Sequence, residues 1–178
     1  MKLLGRTCAL ALATAAVAAC GKTTFMVGYA QDAAPLMAEY RSYAWLRPAP
    51  GQAKRPHEDL VGLRIQRTVD SVLNAKGFLR NDSTPDFLVG YHLAYTGDLD
   101  RDAVDTYFGF GFGSNEPGAD SIPQGTLIID VVDAAQQRLV WRGGADINVD
   151  PNTLDARERN RRIRDGVGGI LTDFPPSQ

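Results

Sequence analysis

An α+β two-layer sandwich, one mainly antiparallel mixed sheet with two helices packed on one face, is the fold class this sequence predicts. Three observations predict it. Two segments, one opening at Glu58 and one near Asp155, repeat apolar residues at intervals of three and four, as a helix with one buried face requires. Two others, 125–133 and 139–149, carry apolar residues at alternate positions, as half-buried strands do. A fifth, 87–95, is apolar at nearly every position, with only His92 clearly polar, so it reads as a central strand covered on much of both faces.

Taken along the chain, residues 24–29 and 42–46 are short strands, rich in aromatic and β-branched side chains. The first helix presents Val61, Ile65, Val69, Val72 and Leu73 on one face. Pro56 and Asp59 suit its start, and Gly77 suits the left-handed residue that ends a helix. The central strand follows, then the hairpin. Its apolar residues Leu127, Ile129, Val131, Leu139, Trp141, Ala145, Ile147 and Val149 are all odd-numbered. Pairing must bring odd against odd, so opposing residue numbers sum to an even value. A five-residue loop over 134–138 satisfies that and sets Asp130 opposite Arg142; a four-residue loop would put Asp130 beside Trp141. The last helix presents Ile163, Val167, Ile170, Leu171 and Phe174, and Pro175-Pro176 stops it. The predicted order is β-β-α-β-β-β-α.

Ahead of this domain, residues 1–6 carry Lys2 and Arg6 and no acid, and residues 8–19 carry no charge. Twelve apolar residues fall short of the roughly 20 that span a bilayer, but they suit the apolar core of a secretory signal. The run Val17-Ala18-Ala19-Cys20 resembles the lipobox of a bacterial lipoprotein. The resemblance implies a signal peptide over 1–19, a diacylglyceryl thioether and acylated amine on Cys20, a short tether over 20–24, and one domain over 25–178. An ordinary secreted protein cut after Ala19 is the competing expectation. Gly21 after the cysteine is similar to lipoproteins sent on to the outer membrane, so the expected location is that membrane's inner leaflet, with the domain in the periplasm.

Composition narrows the function classes. Cys8 leaves with the signal and Cys20 takes the lipid, so the mature chain has no thiol for a disulfide, a nucleophile or a metal. Removing Lys2 and Arg6 from 19 basic residues leaves 17 against 21 acidic ones, a net of −4. That balance argues against a nucleic-acid partner, which demands clustered positive charge. Cleavage after Ala19 leaves 159 of the 178 residues, one domain's worth.

Six stretches together resemble one family of bacterial lipoproteins, domain-of-unknown-function family 4136. They are Tyr43-Ala44-Trp45, Leu73-Asn74-Ala75-Lys76-Gly77-Phe78 and Pro85-Asp86-Phe87-Leu88-Val89, then Gly125-Thr126-Leu127-Ile128-Ile129-Asp130, Leu139-Val140-Trp141-Arg142-Gly143 and Phe174-Pro175-Pro176. The likeness runs from about Tyr29 to Pro176. It implies an envelope lipoprotein and this order of elements, and it implies no activity.

Motifs that could carry chemistry mostly fail on detail. With His57 in a loop, His92 in a strand and no cysteine, the three or four ligands of a zinc site are missing. His92 reads as a hydrogen-bonded strand histidine before it reads as a catalytic one, and no serine sits in a G-x-S-x-G elbow. Asp98, Asp100 and Asp102 open like a calcium loop, but Ala103 stands where the loop needs glycine and Gly109 where it needs glutamate. Gly109-Phe110-Gly111-Phe112-Gly113 lies well past a strand and leads into no helix, so it is not a phosphate loop. No catalytic residue, cofactor or metal is therefore expected.

Two features remain as candidate partner contacts. Tyr107, Phe108, Phe110 and Phe112 sit among glycines on the long connection 96–124, either a flap tucked on the sheet or an aromatic surface for a partner. Arg157, Arg161 and Arg164 belong to an arginine-rich helix, either a solvated face paired at i,i+4 or a contact for anionic lipid or another envelope polyanion. The leading expectation is a non-catalytic binding or structural module on the membrane. The alternative is an enzyme or ligand-binding domain acting on a cell-wall or lipid substrate through acids such as Asp130 with Asp133 or Asp146.

Overall fold

The computed structural model describes residues 25–47, 58–94, 99–100, 104, 121–149 and 153–177. Strand β1 (Phe25–Tyr29) leads through a 3-10 turn (Gln31–Ala33) into a short helix, α1 (Ala34–Glu39), and then β2 (Ser42–Trp45). A wide helical turn (Glu58–Gly62) opens α2 (Leu63–Ala75), followed by β3 (Leu79–Arg80) and β4 (Phe87–Leu93). Two-residue strands β5 (Leu99–Asp100) and β6 (Ser121–Ile122) form a separate ribbon. The hairpin β7 (Thr126–Asp133) and β8 (Arg138–Asp146) precedes α3 (Ala156–Ile170), which ends in a 3-10 turn, Leu171–Asp173.

Six strands make one mixed sheet in the order β1-β8-β7-β4-β2-β3. The four strands from β1 to β4 in that order are antiparallel to their neighbours, while β2 runs parallel to both β4 and β3. The predicted α+β class holds, with the core between the sheet and the helices. Ile65, Val69 and Leu73 of α2, with Ile163, Val167 and Ile170 of α3, pack on the odd-numbered residues Phe87, Val89, Leu127, Ile129, Val131, Trp141 and Ala145. Phe87 is the hub: its ring stacks on Tyr40 at 5.2 Å and meets Phe78 at 5.3 Å and Phe174 at 5.4 Å edge-on. Phe174 thus brings the end of the chain back into the core.

The local signals fall where the chemistry places them. Gly77 takes φ 93°, a conformation that costs a side chain dearly, and Phe78 N donates back to Leu73 O at 3.0 Å to close α2. Asp155 caps α3, its Oδ1 accepting the Glu158 amide at 2.8 Å. Gly166 permits close approach: a Cβ there would stand 2.2 Å from Cγ2 of Ile147.

One expectation is corrected. The hairpin loop is four residues, Ala134 to Gln137, not five. Asp133 pairs with Arg138 and Val132 with Leu139, an odd sum, whereas Thr126 to Val131 keep the even sum that sets Asp130 opposite Arg142. A bulge at Val140 absorbs the difference, so Leu139, Val140 and Trp141 are buried in succession. The loop is held by Asp133, whose Oδ1 accepts the Gln136 amide at 2.5 Å, and Gln137 takes the left-handed turn at φ 51°. Parity fixed the pairing of faces but left open whether loop length or a bulge would meet it. Three elements were also not anticipated: α1, β3 and the β5–β6 ribbon.

Candidate functional site

Alternation along β4, β7 and, past the bulge, β8 from Trp141 onward sends their even-numbered side chains to the face away from α2 and α3. That face is also buried. Ala94 and Ile128 pack with Val104 and Ile122, which belong to the connection between β4 and β7. Beside this small apolar cluster the strands bring together His92, Asp130 and Arg142.

The register explains how. Asp130 lies directly between Gly90 of β4 and Arg142 of β8. Gly90 has no side chain, so His92 reaches Asp130 from the diagonal position. The Arg142 guanidinium donates twice to the carboxylate, Nε to Oδ1 at 2.7 Å and Nη2 to Oδ2 at 2.9 Å. His92 Nε2 stands 3.3 Å from Oδ2, a longer contact than either guanidinium bond. The His92 and Asp130 side chains are 0% and 3% exposed, and that of Arg142 14%. Burial alone would push the Asp130 carboxyl up. The close approach of His92 and the hydrogen bonds and charge of Arg142 outweigh it and hold the carboxyl below its ordinary range. The group is a buried carboxylate with both oxygens engaged, so its evident work is to fasten three strands.

The acids that an enzyme reading would group do not converge. Asp133 lies on the helix side of β7, where it accepts the Tyr40 hydroxyl at 2.8 Å. Asp146 is exposed and accepts the Asn148 amide at 3.2 Å. A further carboxylate not anticipated, Asp70 of α2, accepts the Tyr43 hydroxyl at 2.8 Å and Trp45 Nε1 at 3.0 Å, tying the helix to β2. Its signal was present in Tyr43-x-Trp45, two polar-tipped rings on one face of a strand. Among the described residues, no three His, Cys, Asp or Glu gather in a way that could hold a metal ion.

Of the predicted partner contacts, Arg157, Arg161 and Arg164 lie exposed on one stripe of α3, spaced four and three residues apart. Arg161 donates to Glu158 through Nη2 at 2.6 Å and Nε at 2.9 Å, and stands 3.7 Å from Asp165. Arg162 also donates to Glu158, at 2.9 Å. Hydrogen bonds from Arg161 and then Arg162 draw the Glu158 carboxyl down to about 2. Pairing along the helix therefore accounts for Arg161, while Arg157 and Arg164 have no carboxylate partner among the described residues. Cys20, His57, Asp98, Asp102 and the aromatic set Tyr107, Phe108, Phe110 and Phe112 lie outside the described residues; of the calcium-like run, only the backbone of Asp100, in β5, is described.

The sequence profile of a family described as domain of unknown function, DUF4136, matches residues 27–176. The chain belongs to DUF4136. The matched span takes in every strand of the six-stranded sheet except the first two residues of β1. A solved DUF4136 family protein from Bacteroides thetaiotaomicron shares this fold at a TM-score of 0.55 and 15% identity, over 86% of this chain and 96% of that one. A PDZ domain protein from Parabacteroides distasonis gives 0.52 at 13% identity over 86% of this chain, which spans only 36% of that protein. A PelC dodecamer subunit from Paraburkholderia phytofirmans gives 0.50 at 9% identity, over 88% of this chain and 100% of that one. Among curated proteins none matches this sequence. At such identities the likeness is one of fold, so the DUF4136 chain carries its functional evidence in its own residues.

Proposed function

We propose that this DUF4136 chain is a lipid-anchored lipoprotein of the bacterial envelope, held at Cys20, with a periplasmic domain that binds or supports another envelope component without catalysing a reaction. The observation that carries this reading is the distance in sequence from Cys20 to the fold. β1 opens at Phe25, so five residue steps, roughly 17 Å at full extension, join the lipidated cysteine to the sheet. A diacylglyceryl group with an acylated amine anchors durably, where a single chain would not. No helix among the described residues is long and apolar enough to cross a membrane.

The binding role draws on two features. Arg157 and Arg164 stand exposed on α3 without a neutralising carboxylate among the described residues, available to an anionic envelope partner. Asp130, the most deeply buried acid among the described residues, is committed to Arg142 beside His92 and sits apart from Asp133 and Asp146.

Mass spectrometry of the mature N-terminus extracted from membranes tests the anchor. The expected species begins at Cys20 and carries a diacylglyceryl group; Cys20→Ser should release the domain from the membrane fraction. A mature chain with an unmodified Cys20 would sink the proposal. Crosslinking in intact cells tests the binding role. Arg157→Glu with Arg164→Glu should remove the crosslinked partner, and a functional protein that never crosslinks would count against a partner.

A further inference from the structure

Strand β1 is an edge built without the usual protections. Its outer side faces no other strand among the described residues, since it stands at one end of the sheet. The residues Phe25, Met26 and Val27 are 45%, 56% and 39% exposed. A strand normally buries alternate side chains; here three consecutive apolar residues meet solvent. Phe25 and Val27 pair with Ala145 and Gly143 and lie on the helix side; Met26 pairs with Gly144 and lies on the other. The Phe25 ring packs against the backbone of α3, close enough that a Cβ on Gly169 would stand 2.2 Å from its Cζ.

Natural sheets blunt exposed edges with charges, proline or a bulge, because a bare apolar edge recruits other chains. β1 reads Phe-Met-Val-Gly-Tyr, has none of these, and pairs with β8 in unbroken register. Such an edge is tolerable where something else covers it. The chain that precedes it says what that is. Five residue steps separate Phe25 from Cys20, so a lipid on that cysteine keeps β1 within roughly 17 Å of the bilayer at all times. No other strand is tethered so closely. β3, at the opposite edge, is five inter-strand spacings away, about 24 Å.

We propose that the outer edge of β1, through Phe25, Met26 and Val27, seats in the interfacial layer of the bilayer that holds Cys20. The inference rests on the lipidation reading above and adds an orientation to it. Depth is bounded by the backbone. Edge N–H and C=O groups lacking strand partners cannot enter hydrocarbon, where nothing satisfies them, but headgroups and interfacial water can. The side chains therefore reach the upper acyl region while the strand stays at headgroup level. The permanent tether makes the contact intramolecular in effect, so a small apolar area suffices. The sheet then stands with β1 down and β3 toward the periplasm.

The mature chain has no free thiol once Cys20 is lipidated, so Met26→Cys provides a unique site for an environment-sensitive fluorophore. Ser83→Cys, exposed in the turn after β3, provides the distal control. Both lipidated proteins would be reconstituted into phosphatidylethanolamine–phosphatidylglycerol vesicles and quenched by aqueous iodide or by lipids bearing a nitroxide high on the acyl chain. The expected result is a blue-shifted probe at position 26, quenched several-fold more by the lipid nitroxide than by iodide, with the reverse at position 83. Equal iodide access at both positions, with the lipid on Cys20 verified by mass, overturns the membrane contact and leaves the anchor standing. An unmodified Cys20 overturns both. Disulfide formation between Met26→Cys copies in dilute detergent, as efficient as in vesicles, assigns the edge to a second copy and also overturns the inference.

Discussion

The two faces of β4, β7 and β8 are buried by different physics. On the helix side, Phe87, Val89, Leu127, Ile129, Val131 and Trp141 form a hydrocarbon core with rings in contact. On the other side, one residue out of step along the same strands, His92, Asp130 and Arg142 form an ionic cluster beside a four-residue apolar patch. A hydrocarbon core loses stability in proportion to the atoms removed. An ionic one depends on completeness, because a buried charge without its partner costs more than the pair contributes.

The hydrocarbon side should give the largest single effect. Phe87 is fully buried and touches Tyr40, Tyr43, Phe78 and Phe174. Phe87→Ala should cost roughly 3–5 kcal/mol of unfolding free energy, measured by urea denaturation. A loss under 1 kcal/mol would mean that the ring cluster is not the core's hub.

Breaking the ionic side at one partner should come close behind. Arg142→Met keeps the aliphatic bulk but strands the Asp130 carboxylate, at a cost of about 3 kcal/mol. The double variant Asp130→Leu with Arg142→Met should recover most of it, since neither charge is then buried alone. A double variant as unstable as the sum of its parts would refute the pairing. The pH dependence sharpens the same point. Asp130 has a folded pKa held below its ordinary value, so its contribution is present above that value and disappears as pH falls through the folded pKa. The stability gap between the natural protein and Asp130→Asn should be widest near neutrality and narrow in acid.

How much of this comparison was legible beforehand depended on the length of each pattern. The odd-numbered run from Leu127 to Val149 named the core face at every position but Leu139, which the bulge turns to the other side, and by parity placed Asp130 opposite Arg142. The same parity could have drawn His92 to them, as the even-numbered polar residue on a strand whose odd residues are apolar. What hid it was register: nothing in the sequence of β4 says which β7 residue His92 will meet. The bulge at Val140 was hidden for a related reason: from Trp141 onward a four-residue loop with a bulge and a five-residue loop give the same faces, and only Arg138 to Val140 tell them apart. α1 escaped notice because six residues with one buried side chain, Met37, show no period. β3 escaped because two exposed residues, Leu79 and Arg80, show no alternation.

A smaller effect belongs to the contact between α3 and the end of the hairpin. Gly166→Ala places a methyl 2.2 Å from Cγ2 of Ile147, a branched side chain with little freedom to retreat. The helix must lift from the sheet, at a cost of about 1–3 kcal/mol. Gly168→Ala, two residues further along the helix, meets nothing within 4 Å and makes the matched control. Two variants with identical chemistry and opposite packing should differ in melting temperature, the Gly168 variant remaining at or above the natural value. Equal melting temperatures for the two variants would mean that the approach to Ile147 carries no packing cost, since both share the same gain in helix propensity.

The smallest effect is expected where charge is densest. Glu158 accepts from both Arg161 and Arg162 at the surface of α3, and its carboxyl is drawn down to about 2. At Asp130 a depressed pKa reports a buried partner whose loss destabilises the fold. At Glu158 it reports a solvated pair, where water replaces whatever the guanidinium provided. Arg161→Ala should therefore leave the urea midpoint unmoved while NMR titration shows the Glu158 carboxyl rising toward its ordinary 4.5, with Arg162 retaining part of the depression. A clear fall in the midpoint would show that the ion pairs of α3 are structural after all, and that a face read as available to an envelope partner is instead committed to holding its own helix.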